Sequence, residues 1–309
     1  MQFDPKKRLL YSIVFILYGN LLFGSSQDFD KIQIETVKVA ENVYMLIGAG
    51  GNIGVSVGED GVLLIDSQFP QMVEKIKAAV AKLNAGPVRF VFNTHWHYDH
   101  ADGNEVLAKA GAVVMAHKNS RLHMLSEWSA PELDPNFKKP PYPKPALPAI
   151  TISDSLTLHF NGEEIQAIHL PNAHSDGDLA FHFKKANVIH AGDIYFSNGF
   201  PFINITSGGS IDGMIQAVDR ILNLSDGNTK VIPGHGLLSN REEAQAYRDM
   251  LATARDRIAK LIQEGKTLEE VLAAKPAEGL YKGGKSWLPP DLFLKIVYTD
   301  LAKQLRKES

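Results

Sequence analysis

Residues 95–100 read HWHYDH and are separated by Thr94 alone from the apolar run PVRFVFN at residues 87–93. Such a run is typical of a buried strand, which we expect to end just before the histidines. Four of the six residues are of types that bind metal ions, namely His95, His97, Asp99 and His100. The chain has no cysteine, so imidazole and carboxylate are the ligands available, and both suit zinc. The segment therefore predicts a zinc site at the end of a strand.

Further metal-binding residue types occur downstream, each with glycine nearby. His174 follows the apolar run 165–170, Asp193 follows the run 188–191, and His235 follows residues 231–232. We expect all three side chains at strand ends or in the loops beyond them. Glycine lets the backbone approach closely or turn sharply at such places. With the first four residues, they supply enough donors for a pair of metal ions.

The order His-x-His-x-Asp-His, a later His, a Gly-Asp and a Pro-Gly-His resembles the metallo-β-lactamase superfamily over roughly residues 36–240. The resemblance implies an α/β (α+β) fold, an αββα sandwich of two face-to-face sheets with helices outside and ligands along one edge. It also implies two Zn²⁺ ions. The implied ligands are His95, His97 and His174 for one ion, Asp99, His100 and His235 for the other, and Asp193 between them, as in glyoxalase II-like members.

The resemblance further implies a dinuclear zinc hydrolase. Zinc lowers the pKa of bound water toward about 7, so hydroxide can attack a carbonyl at neutral pH. We expect an ester, lactone or β-lactam-like amide as substrate, with Asp99 as the catalytic residue that orients the nucleophile. The alternatives are a thioesterase like glyoxalase II, a phosphodiesterase, and a non-catalytic zinc-binding protein. The intact donor set argues against the last.

Two features narrow this choice. The absence of cysteine excludes the β-lactamase branches that place a cysteine on the second zinc. The cysteine-free branch stays open, although Asp193 instead favours the thioesterase, lactonase and phosphodiesterase branches. The composition is globular, with 44% hydrophobic and 22% charged residues, and the net charge of −3 makes nucleic acid an unexpected partner. We therefore expect a small-molecule substrate.

Aromatic residues near the motif are candidates for the pocket wall, namely Trp96, Tyr98, Tyr195 and Phe200. They favour a partly apolar substrate. The competing interpretation is that these rings belong to the core, where large rings usually lie. Asp66 and Asp178 either orient metal-bound imidazoles or cap turns.

The N-terminus has the layout of a secretory signal peptide, which we assign to residues 1–26. Basic residues 6–8 precede an apolar run at 9–23 and the small residues 24–26. We expect a periplasmic or secreted protein with no stable membrane association after cleavage. A retained anchor is the alternative, but the run is shorter than the roughly 20 residues that span a bilayer.

The rest of the chain divides into a metallo-β-lactamase domain at residues 32–240 and a C-terminal helical extension at 241–309. Residues 70–84 have helical spacing, Ser210 is a candidate helix cap, and Asn161-Gly162 predicts a hairpin turn. The proline-rich segment 126–150 predicts a long surface loop, either a lid or a passive connector. The oligomeric state stays open.

Overall fold

Two β-sheets pack face to face at the centre of the protein. The structure, a computed structural model, describes residues 28–83, 86–131, 133 and 135–308, so the predicted signal peptide lies outside the described residues. The first sheet has seven strands, in the spatial order β1 (Glu35–Lys38), β2 (Val43–Ile47), β3 (Ile53–Gly58), β4 (Gly61–Ile65), β5 (Val88–Phe92), β6 (Val113–His117) and β9 (Ile150–Ile152). The second has six, in the order β10 (Ser155–Phe160), β11 (Glu163–His169), β12 (Leu179–Phe183), β13 (Val188–Phe196), β14 (Lys230–His235) and β15 (Ser239–Asn240). A separate short pair joins β7 (Trp128–Ser129) to β8 (Lys138–Lys139).

The two sheets bury their apolar faces against each other. Phe92 of β5 and Phe181 of β12 are both fully buried, and their ring centroids lie 5.2 Å apart. Truncating a buried phenylalanine to alanine typically costs about 3–5 kcal/mol. The inter-sheet layer therefore fixes the position of β5, whose end leads into the histidine segment.

Helices cover the outer faces, so the predicted αββα sandwich with C-terminal helices is confirmed. They are α1 (Val73–Ala81), α2 (Tyr98–Ala101), α3 (Asn104–Lys109), α4 (Lys118–Met124), α5 (Ile211–Leu224), α6 (Arg241–Gln263), α7 (Leu268–Ala274) and α8 (Pro290–Glu308). The C-terminal helices share one apolar cluster with α5 and β13. Within the described part of the chain, no helix is long and apolar enough to cross a bilayer.

Local signals placed several boundaries correctly. Asn161 and Gly162 have φ of 53° and 71°, which the turn of a two-residue hairpin requires, and Phe160 pairs with Glu163 across it. The side chain of Ser210 accepts a hydrogen bond from the backbone N–H of Gly213 and so caps α5.

Two predicted strand ends are wrong. β13 continues through Asp193 to Phe196, and β14 includes His235. The pairing of β13 with β14 shifts register around Gly192, which has φ of 54° and whose Cβ would collide with Thr94. This bulge redirects the chain inside the strand, which a simple apolar pattern does not reveal.

The proline-rich segment is more buried than the predicted surface loop. Trp128 and Tyr142 are each only 8% exposed, and the Tyr142 hydroxyl donates a hydrogen bond to the carbonyl of Trp96 at 2.9 Å. The segment also forms the β7–β8 pair. Its aromatic residues pack against the histidine motif, because prolines exclude regular secondary structure but not burial.

Candidate metal centre

The histidine motif starts as extended chain and ends as a helix. His97 has φ −63° and ψ 151° and precedes α2, which carries Asp99 and His100. The sequence did not predict this short helix. It directs Asp99 and His100 differently from His95 and His97, so the four side chains serve two separate groups of donors.

The first triad consists of His95, His97 and His174. The Nδ1 atom of His97 lies 3.1 Å from Nε2 of His95 and 2.8 Å from Nε2 of His174. The opposite nitrogen of His95 lies 3.0 Å from the Thr94 hydroxyl, and that of His174 lies 2.8 Å from the carbonyl of Phe202. These outer contacts occupy Nδ1 of both rings, so their Nε2 lone pairs face His97.

The second triad consists of Asp99, His100 and His235. Nε2 of His235 lies 3.3 Å from Nε2 of His100 and 3.3 Å from Oδ2 of Asp99. The Nδ1 atom of His100 lies 2.8 Å from Oδ2 of Asp66. The Nε2 lone pair of His100 therefore also points into the group.

Asp193 lies between the two triads. Its Oδ1 atom is 3.1 Å from Nε2 of His100 and 3.4 Å from Nε2 of His235. Its Oδ2 atom is 3.9 Å from Nε2 of His95 and 3.8 Å from Nε2 of His174. Each carboxylate oxygen thus faces one triad, the position of a bridging ligand.

The arrangement fits bound metal ions on its own chemistry. Asp193 Oδ1 is buried and has no hydrogen-bond donor among the described residues. Buried acceptors that converge without donors are unfavourable unless a cation lies between them. Three overlapping groups of donor atoms each fall within 4.8 Å, which is compatible with ligation of one ion. Histidine nitrogen and carboxylate oxygen are ligands of zinc.

Asp66 orients residues of both triads, whereas Asp178 does not. Asp66 accepts hydrogen bonds from the backbone N–H of Thr94 at 2.7 Å and from its hydroxyl at 2.8 Å, besides its contact with His100. It therefore acts on His95 through Thr94. Asp178 accepts from the N–H and hydroxyl of Ser175 and caps the turn after His174.

The electrostatics differ between the triads. Burial and the neighbouring imidazoles hold the pKa of His95 and of His97 well below the usual range. Burial also opposes protonation of His100 and His235. There, however, the carboxylates of Asp193 and Asp99 prevail and raise the pKa of His100 well above its ordinary value and that of His235 to about 9. The first triad therefore favours neutral imidazoles, while the second is rich in negative charge.

Sequence reasoning missed three residues that surround the triads. The Asn204 amide nitrogen lies 3.0 Å from Nε2 of His97. Trp128 stacks on His97 with ring centroids 4.6 Å apart, and Trp287 stacks on His235 at 5.4 Å. An isolated asparagine has no sequence pattern that would predict a place beside a metal ligand. The two tryptophans lie in the proline-rich segment and in the C-terminal extension, and the length of a tryptophan side chain was the one feature that could have suggested that they reach the site.

The predicted pocket residues fall into different environments. Trp96, Tyr195 and Phe200 are at most 2% exposed. The Tyr195 hydroxyl pairs with Ser239 at 2.7 Å, and Phe200 stacks on Phe293 at 4.6 Å, so both rings lie in the C-terminal core. Tyr98 is partly exposed. Of the four, it is the one whose position suits contact with a substrate.

Comparison with known proteins identifies the class that this fold and site define. The sequence model of the metallo-β-lactamase superfamily matches residues 46–235. The chain belongs to this superfamily. The superfamily generally binds metal ions, and metallo-β-lactamases and hydroxyacylglutathione hydrolases are among the proteins that this chain resembles.

Two curated relatives are named hydroxyacylglutathione hydrolase. A hydroxyacylglutathione hydrolase from Pelagibacter ubique is 28% identical over 149 residues, which are 48% of this chain and 52% of that protein. One from Brucella anthropi is 26% identical over 194 residues, 62% of this chain and 64% of that protein. The chain thus spans about half to two thirds of the length of these curated relatives.

Solved structures share the fold at low identity. A metallo-β-lactamase from Pontibacter korlensis has a TM-score of 0.56 and 16% identity, covering 71% of this chain and 99% of that one. A stereoselective inverting sec-alkylsulfatase from a Pseudomonas species has a TM-score of 0.64 and 17% identity, covering 86% of this chain and 50% of that one. At such identities the likeness shows the fold alone.

Proposed function

We propose that this protein is a dinuclear zinc hydrolase that cleaves the thioester or ester bond of a small acyl substrate. The position of Asp193 carries the proposal, because one of its oxygens faces each triad. A bridging aspartate is the feature that favours the thioesterase and lactonase branches over the cysteine-free β-lactamases. The relatives named hydroxyacylglutathione hydrolase support the same branch.

The residues of the centre have different roles in this proposal. The first triad would hold one zinc ion, the second triad would hold the other, and Asp193 would bind both. Bound zinc would supply a water molecule of lowered pKa and polarise the substrate carbonyl. Asp99, whose side chain is 20% exposed, is the most accessible of the donors and can accept a hydrogen bond from the attacking water. Asp66 would keep His100 and His95 in the tautomers that present Nε2.

Zinc analysis and a substrate panel test this proposal. We expect about two zinc ions per chain by plasma mass spectrometry, in line with two donor groups. The panel compares a hydroxyacyl thioester of glutathione, an aryl ester, a lactone and a chromogenic cephalosporin, and we expect turnover of the thioester or ester to be fastest.

Matched histidine variants separate the site from the rest of the protein. His97→Ala should abolish turnover, while His159→Ala, which changes an exposed histidine of β10, should leave it intact. Fastest turnover of the cephalosporin would move the protein to the β-lactamases. Two zinc ions per chain with no turnover of any substrate would favour the non-catalytic zinc-binding alternative, whereas less than one zinc per chain would contradict both interpretations.

Export to the periplasm or beyond is part of the proposal, with cleavage after residue 26 and a small-molecule substrate rather than nucleic acid. Its support is the basic, apolar and small-residue order of the first 26 positions. N-terminal sequencing of the protein recovered from the periplasmic fraction tests it. An N-terminus at Met1 in the membrane fraction would support the retained anchor instead.

A further inference from the structure

Among the described residues, the donors of the metal centre that are exposed to solvent lie on one side of it. Asp99 and His235, both of the second triad, have side chains that are 20% and 11% exposed. The other five donor residues are at most 6% exposed. A substrate therefore reaches the centre on the side of the second triad.

Trp287 of the C-terminal extension stands at this open side. Its ring lies 5.4 Å from that of His235 and 5.3 Å from that of Phe196, with interplanar angles of 23° and 39°. His235 and Phe196 themselves stack at 5.2 Å and 17°. Trp287 stays partly exposed, whereas Phe196 is buried. The indole is thus an accessible ring that stacks on His235, a candidate metal ligand, and lies tilted against Phe196.

The backbone fixes Trp287 in this place. Its N–H donates to the carbonyl of Asn198 at 3.0 Å, and the neighbouring Ser286 hydroxyl accepts from the N–H of Phe200 at 2.8 Å. Leu288 forms an antiparallel bridge with Phe200. Gly199, with φ of 138°, lets this segment and the one that contains Trp287 approach each other, since a Cβ there would collide with Ser286. The segment that follows β13 therefore holds the tryptophan.

We infer that Trp287 is a specificity-determining residue, and that it binds a flat aromatic group of the substrate beside the second triad. Trp287 and His235 are stacked, so a planar group that packs on the exposed part of the indole extends this stack. Aromatic pairs gain binding free energy beyond what burial of the same area supplies. The inference rests on the proposed function for the bond that reacts, but binding of the aromatic group is measurable without turnover.

Binding of two monocarboxylates to the zinc-loaded full chain tests the inference. The probes are phenylacetate and hexanoate, which share the carboxylate and differ in the ring. Calorimetry on the wild type and on Trp287→Leu should show that the variant binds phenylacetate about three- to tenfold more weakly. This factor corresponds to the binding free energy of an aromatic pair. Hexanoate should change by less than about twofold, because leucine keeps the apolar contact.

Matched variants exclude indirect effects. Trp287→Phe keeps a ring and should retain most of the phenylacetate affinity. Tyr298→Leu changes a partly buried ring of the same extension that contacts neither triad, and should change neither affinity. Zinc content is measured in each. An equal loss for both probes, or no loss for phenylacetate, would overturn the inference.

A measurement on the wild type covers the case in which Trp287→Leu does not fold. The chain has three tryptophans, and Trp96 and Trp128 are 1% and 8% exposed. Acrylamide quenching of tryptophan fluorescence therefore reports mainly on Trp287. Phenylacetate should protect it more than hexanoate does, and equal or absent protection would contradict the inference. Both results stand even if no substrate in the panel is hydrolysed, which separates failure of this inference from failure of the proposed function.

Discussion

The two triads contain similar residues and share Asp193, but their surroundings differ. The first is almost fully buried, carries only histidines, and is covered by Trp128 and Asn204. The second includes a carboxylate, opens to solvent, and borders the C-terminal extension through Trp287. This difference suggests that the first triad is a preorganised site for a tightly held ion, and that the second is the place where substrate and water exchange.

Removing one ligand from each triad in turn should give the largest difference in activity between the two triads. His97→Ala leaves buried imidazoles without a partner, and no water can easily replace the lost ligand. We expect it to lower activity by more than about 100-fold, beyond the loss from a missing orienting partner. His235→Ala should retain more activity, because solvent can occupy its exposed position. Zinc content and kcat/KM measured on both variants check this, and a larger loss in His235→Ala would contradict it.

Asp66→Asn should weaken the second triad by a smaller factor. The amide has a single acceptor oxygen, so it cannot accept from the backbone N–H of Thr94 at one position and from the Thr94 hydroxyl and His100 at the other, as the two carboxylate oxygens do. We expect zinc affinity to fall by about 10- to 100-fold. Competition titration with a chromophoric chelator measures it. Asp178→Asn, which alters only the turn cap at Ser175, is the matched control and should leave zinc affinity close to wild type.

Acidic pH should destabilise the part of the fold that positions Asp193, because His190 there is held neutral. This ring pairs with the carbonyl of Asn52 and accepts from the N–H of Gly192, and burial lowers its pKa to about 4. Below pH 6.5, the ordinary pKa of histidine, His190 binds a proton in the unfolded chain but stays neutral in the folded protein. The free energy of unfolding contributed by neutral His190 is therefore complete above pH 6.5 and falls as the pH drops toward 4. Between pH 7 and pH 5 we expect a loss of about 2 kcal/mol.

Urea unfolding at the two pH values, with chelator present so that metal loss does not contribute, measures this effect. His190→Gln keeps one donor and one acceptor but does not titrate, so its unfolding free energy should depend less on pH. An unchanged pH dependence in that variant would assign the acid sensitivity to other groups.

Asn204→Ala should have the smallest effect and should act on the first triad. The Asn204 amide donates to Nε2 of His97, which places the ring proton on Nδ1, the atom that faces the triad, so zinc binding must give up this hydrogen bond. Removing this single neutral hydrogen bond, worth about 0.5–1.5 kcal/mol, should raise zinc affinity by about 2- to 10-fold. Chelator competition should show the change in the more tightly bound zinc. A change confined to the weaker zinc would contradict the assignment of Asn204 to the first triad.

Much of the fold followed from local pattern. The hairpin at Asn161-Gly162, the cap at Ser210 and the alternation of apolar runs are properties of neighbouring residues, so a sequence window contains them. The bulge at Gly192 was not predictable in this way. It depends on the pairing of β13 with β14 and on the close approach of Thr94, which belong to different parts of the chain.

The chemistry of the candidate site could be predicted from the sequence alone, because the chain has no cysteine and its histidines and aspartates follow an order that resembles one superfamily. The division of these donors into two triads, their exposure to solvent and the side chains around them became visible in the folded protein. Asn204 lies 107 positions from His97, and Asp66 lies 34 positions from His100. Such contacts join segments that are far apart in the sequence and come together through the packing of sheets and loops, so no local pattern specifies them.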